Sequence, residues 1–157
     1  MSKRIASMRG HLVAGPLMLA LACGSDGGPT DNGPPAVAGD YDATFTAVQA
    51  TDCLGLVTPG SSTTGTLRVT QAGTQATLHI SDLREEFGSN PVGTLSSDGD
   101  FHFGPGVVII DPDPATPGDE FNAQGTFSGT FSGNTMDIDF DFTAFTCHVA
   151  GTIVGQR

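Results

Sequence analysis

The chain has no tryptophan, one tyrosine and only six basic residues in 157. Three of the six, Lys3, Arg4 and Arg9, fall within the first ten residues. Everything beyond them sets Arg68, Arg84 and Arg157 against all seventeen carboxylates and holds no lysine. A surface of that sign repels phosphate backbones and anionic headgroups, which argues against nucleic acid as a partner. Long apolar runs are missing too. The longest, residues 12–22, is interrupted by Gly15 and Pro16. Helical, it covers only about half of a ~30 Å hydrocarbon core, so a permanent transmembrane helix is not expected. Cysteine is limited to Cys23, Cys53 and Cys147, with no C-x-x-C pair and hence no zinc or thioredoxin-like motif. Gly-x-Ser-x-Gly, His-Glu-x-x-His and phosphate-loop patterns do not occur, so neither catalysis nor a cofactor is expected.

What is present at the start is a basic n-region, a short apolar segment and small residues before a boundary, the pattern of a signal peptide. Leu19-Ala20-Leu21-Ala22-Cys23 resembles the lipobox of bacterial prolipoproteins. That resemblance implies a leader over 1–22 and a diacylglyceryl thioether on Cys23, which becomes the new N-terminus and ties the protein to a lipid bilayer. Gly24, in place of Asp at the second mature position, implies by the same analogy transfer to the outer membrane. Ordinary secretion with cleavage near Ala22 is the alternative. Residues 23–36 follow as a flexible Gly/Pro/Asp-rich tether with almost nothing apolar to bury. One folded domain remains, 37–157, long enough for a single core.

Within that domain helical periodicity is nearly absent and period-2 alternation dominates. Strands are expected at 39–51, 65–70, 75–80, 92–95, 101–110 (with a possible break at Gly104-Pro105-Gly106), 120–131, 136–142 and 146–154. The seventh is the clearest: Met136, Ile138, Phe140 and Phe142 alternate with Asp137, Asp139 and Asp141. One helical turn is expected, in the Asp82–Phe87 stretch. Eight short antiparallel strands joined by turns make an all-β fold, an up-and-down barrel or, alternatively, a β-sandwich. Two features favour the barrel. Connections after strands two, four and six are tight while those after one, three and five are long, which gives a closed floor and a loop-rimmed mouth. In a closed barrel the end of strand one also lies beside the start of strand eight, where Cys53 and Cys147 stand ready to form one disulfide in an exported protein.

The domain is similar to the lipocalin-like (calycin) barrels. Their Gly-x-Trp start packs its ring beneath an arginine from near the last strand. Here Gly39-Asp40-Tyr41 and Arg157 occupy the matching places, so the resemblance implies a guanidinium over the Tyr41 ring at the floor and a ligand cavity at the mouth. Its expected lining is Tyr41, Phe45, Leu67, Val69, Leu78, Phe103, Phe127, Phe140 and Phe142.

The polar candidates are weaker. His79, His102 and His148 alternate with inward apolar residues and should face solvent, as should the Asp137, Asp139 and Asp141 comb. Asp111, Asp113, Asp119 and Glu120 are the calcium candidates, because loop carboxylates suit that ion, although their spacing matches no EF-hand. Arg84, Glu85 and Glu86 read as a solvated turn. The resulting expectation is a lipid-anchored exported barrel with a structural or interaction role. The alternative is a carrier of a small apolar ligand, separated from it by whether a cavity above ~300 Å³ opens at the mouth.

Overall fold

The structure is a computed structural model that describes residues 33–53 and 57–157. The leader, the lipobox and most of the tether, Cys23 included, lie outside the described residues. Eight strands follow in order: β1 Gly39–Thr51, β2 Ser62–Ala72, β3 Gln75–His79, β4 Val92–Leu95, β5 Asp100–Ile110, β6 Phe121–Ser132, β7 Thr135–Ala144 and β8 Cys147–Gln156. Each pairs antiparallel with the next, and β1 pairs with β8, so the sheet closes into an up-and-down barrel.

Alternation builds the wall. Along β7 the inward residues Met136, Ile138, Phe140, Phe142 and Ala144 are all buried while Asp137, Asp139 and Asp141 are all exposed. Opposite them on β6, Ser128 and Thr130 also face out, and on β8 so do Thr152 and Val154. Across β6 to β8 the wall is thus apolar inside and mostly acidic or hydroxylated outside, the reverse of a barrel that crosses a membrane on its strands. Val48, Val92, Val107, Ile109 and Val154 are the exposed aliphatic exceptions on the strands. No helix among the described residues is long and apolar enough to cross a membrane. Inside, Tyr41, Leu67, Leu78, Phe127, Ile138 and Ile153 are fully buried, and among the described residues the core contains no buried charged side chain. Each such large side chain contributes about 1.5–3 kcal/mol relative to exposure.

Four differences from the sequence reading have physical causes. The Gly104-Pro105-Gly106 stretch does not break β5; the strand runs through it with a register shift between Phe103 and Gly106, a bulge that absorbs the extra residue. β2 begins three residues early at Ser62, because Thr63 and Ser62 pair with Phe45 and Thr46 of the long first strand. β8 begins at Cys147 rather than residue 146, since Phe145 and Thr146 form the turn from β7. Finally, the helical turn is a short 3-10 turn at Ile80–Asp82, starting on the buried Ile80 and ending before the expected Glu85 and Glu86.

The floor carries the two-residue turns at 73–74 and 133–134, whose Gly73 and Gly133 adopt φ of 62° and 58°, a left-handed geometry that suits glycine. It also carries a latch. The Arg157 guanidinium lies 5.5 Å from the Tyr41 ring centroid and donates to the carbonyls of Ala38, Ala36 and Gly133. The Tyr41 hydroxyl donates to Val37 O at 2.9 Å. Burial pushes the Tyr41 phenol above its ordinary value of 10.0, and the Arg157 charge pulls it partly back. Gln71 completes the latch, accepting from Val37 N and donating to Pro35 O. Pro35 and Ala36, placed in the tether from sequence, are therefore tied to the floor.

Candidate functional site at the barrel mouth

At the opposite end, four connections ring the opening: the one after β1, described at 52–53 and 57–61, then 80–91, 111–120 and the turn at 145–146. The seam between β1 and β8 is closed there by a Cys53–Cys147 disulfide, with Cα atoms 4.4 Å apart. Below the rim lies a cavity of about 190 Å³. Of the nine inward positions named from sequence, Phe45, Phe140 and Phe142 line it. Tyr41, Leu67, Val69, Leu78 and Phe127 are sealed in the packed core instead, none more than 1 % exposed, and Phe103 packs against that core half-buried. The plug between the two regions is aromatic. Phe45 stacks on Phe140 with centroids 4.4 Å apart, and Phe127 meets Phe142 edge-on at 4.7 Å.

The rest of the lining comes from the loops. Phe87 folds in from the 80–91 segment, bridges to Ile110 and meets Phe45 and Phe142 edge-on at 6.1 Å. Phe121 opens β6 at the rim and pairs with Phe145, which is 87 % exposed at φ 54°. Most informative is Arg84, whose side chain is only 16 % exposed. Its guanidinium lies 5.2 Å from the Phe45 centroid and makes two hydrogen bonds to the Glu86 carboxylate, at 2.7 and 3.1 Å. A third reaches Thr63 Oγ1. The Arg84 hydrogen bond is the main cause holding the Glu86 carboxyl below its ordinary 4.5. The Arg84-Glu85-Glu86 run is therefore no solvated turn: two of its three side chains roof the cavity. Alternation inside strands gave no sign of this, because loop residues carry no fixed facing. The one available signal was Phe87, an aromatic inside an otherwise polar loop.

The polar candidates disperse. Asp113 folds back on its own loop, accepting from Ala115 N and Thr116 Oγ1, while Asp111 N donates to Glu86 O. Among the described residues no three of His, Cys, Asp and Glu come together as metal ligands, so Asp111, Asp113, Asp119 and Glu120 are not gathered into one. His148 Nε2 lies 2.9 Å from Asp141 Oδ1 and His79 Nε2 lies 3.2 Å from Thr70 Oγ1, both on the outer wall, and His102 is exposed on β5. A wider depression of about 400 Å³ lies on the outside, above the β1 bulge, between Thr126, Ser128, Asp139 and Thr152. Being open to solvent it would enclose little of a ligand, so the mouth is the better candidate site. No family model matches the chain, and no curated protein or solved structure matches it either.

Proposed function

We propose that the chain is an exported bacterial lipoprotein, anchored through Cys23 and directed to the outer membrane, whose acidic barrel has a structural or interaction role rather than a catalytic one. The leader and lipobox pattern support the anchoring. One observation supports the role: the interior is packed shut with side chains, and the space left at the mouth, about 190 Å³, falls below the ~300–1,000 Å³ of ordinary small-molecule sites. A deep carrier pocket for a long acyl chain or a polycyclic lipid does not fit that volume. The anchoring half is tested with Cys23→Ser. Wild type is expected in the membrane fraction with its leader removed, and the variant either released or unprocessed. Normal processing and membrane retention of the variant would sink the lipoprotein reading.

A second reading is favoured by the shape of the mouth itself. Its walls are apolar, five phenylalanines among them, and enclosed on most sides, with the Arg84–Glu86 pair as the charged groups of the roof. That is the arrangement of a binding site scaled down to one ring or a short chain. Native mass spectrometry of the protein purified from its own source tests it, a retained small molecule being the expected result.

A further inference from the structure

We propose that the mouth cavity takes a small hydrophobic cation, a single-ring or short-chain amine whose apolar body enters among the phenylalanines and whose ammonium stays at the rim. The inference rests on reading the mouth as a ligand site and names the chemistry of its ligand. Size comes first. An apolar cavity of about 150 Å³ holds benzene. The ~190 Å³ here therefore suits one ring bearing one or two carbons. The walls come second. Phe45, Phe87, Phe121, Phe140 and Phe142 all border the space, and ring faces attract cations. The fold already uses that attraction, in Arg84 over Phe45.

Charge decides between a cation and an anion. The Arg84 charge is matched by Glu86 at 2.7 Å, so the pair leaves no net charge at the roof. Beyond it, the segments forming the mouth carry Asp52, Asp82, Glu85, Asp111, Asp113, Asp119 and Glu120, with no further basic residue. Arg157 is spent on the floor latch, and Arg68 stands on the outer wall beside Asp40. The field at the opening is negative, which concentrates cations there and repels anions. Asp111 Oδ1 and Asp119 Oδ1 are moreover shielded from solvent and accept no hydrogen bond. Neither residue lines the cavity itself; Asp111 adjoins Ile110 and Pro112 and Asp119 lies two residues before Phe121, which sets both carboxylates beside the rim. Unpaired acceptors beside the opening suit a donor, and an ammonium carries only donors. An anionic ligand would instead have to share an Arg84 already neutralised by Glu86, and pass seven carboxylates.

The test uses the full chain carrying Cys23→Ser, free of lipid and so of detergent, and three probes of similar size: 2-phenylethylamine, 2-phenylethanol and phenylacetate. Calorimetric titration at low and at physiological salt is expected to rank amine, then alcohol, then carboxylate. The amine should lead by about fivefold or more, as one unit charge at ~4 Å from a carboxylate in water provides, and salt should narrow the gap. Asp111→Asn with Asp119→Asn should lower amine affinity and leave the alcohol unchanged. Ala123→Leu, which fills the cavity from its wall, should abolish binding of all three. Should that variant misfold, NMR shift changes confined to Val57, Val149 and their neighbours on titrating the parent locate the site instead; shifts elsewhere would overturn the placement. Equal binding of amine and alcohol, or tighter binding of phenylacetate, overturns the cation and leaves the mouth as a ligand site. If none of the three binds, the ligand site and the cation fall together.

Discussion

Replacing Cys53 and Cys147 together by alanine removes one covalent link and leaves the nine β1–β8 residue pairs in place. The native barrel should therefore survive, and the effect should fall mainly on the unfolded chain. The two cysteines are 94 residues apart. In the chain-entropy treatment, freeing a loop of that size costs the folded state about 4–5 kcal/mol in relative stability. Typical domains hold only ~5–15 kcal/mol in total, so a third or more of the stability is at stake. At a urea slope of ~1–2 kcal/mol per M, the unfolding midpoint should fall by about 2–5 M with the slope nearly unchanged. Circular dichroism against urea reads this directly. Reductant should carry the wild type toward the variant's curve and leave the variant where it is. A loss under ~1 kcal/mol at constant slope would refute the reasoning, because it would mean the unfolded chain is not constrained by the link. A changed slope would point instead to altered compactness of one of the two states.

Other consequences are open to test by substitution. Arg157→Ala strips the floor latch of its guanidinium and should cost about 1–2 kcal/mol by denaturant melt, with Pro35 and Ala36 loosened; an unchanged melt would mean the latch holds nothing. Gly151→Ala places a Cβ against Thr46 O and within 2.6 Å of Phe140, so a loss of about 3 kcal/mol or more is expected. Gly133→Ala, with nothing within 4 Å, should cost only the strain of its positive φ, about 1 kcal/mol. Glu86 has its folded pKa depressed, so its stabilising share is present above its ordinary 4.5 and is lost as pH falls through the lowered value. Glu86→Gln should therefore be less stable than wild type at pH 6 and converge on it in stronger acid; parallel curves would show that the Arg84 pair contributes nothing. Tyr41 has the opposite sign of dependence, its raised phenol costing stability only as pH climbs past 10.0.

The wall was legible because a strand facing water on one side must alternate. Asp137, Asp139 and Asp141 declared the outer face of β7, and Met136, Ile138 and Phe140 the inner, before any coordinates. The seam was legible for a topological reason, since closure brings the end of β1 to the start of β8 and both positions hold cysteine. Tyr41 and Arg157 meet for the same reason at the other end. What alternation does not encode is where along the bore the side chains leave space. Tyr41, Phe127 and Phe142 are equally inward by pattern, yet only Phe142 borders the cavity, because the neighbours of the other two fill the bore around them. Nor does it encode loops. Arg84 and Glu86 read as polar residues in a polar stretch, and their placement over Phe45 depends on how 80–91 crosses the mouth.

The barrel is closed but not uniformly sewn. β7 and β8 share ten residue pairs, whereas β4, four residues long, meets β3 over three pairs and β5 over only two. Amide hydrogens protected by so few neighbours trade with deuterium through small openings, while those of a well-paired seam wait for global unfolding. The ring therefore has a hard side at β7, β8 and β1, bolted at the rim by the disulfide and at the base by Arg157. Its soft side at β3 and β4 is joined by the 80–91 segment that roofs the cavity. Opening on that side would loosen the roof without melting the wall, so the amides of β3 and β4 should exchange with deuterium well before those of β7 and β8.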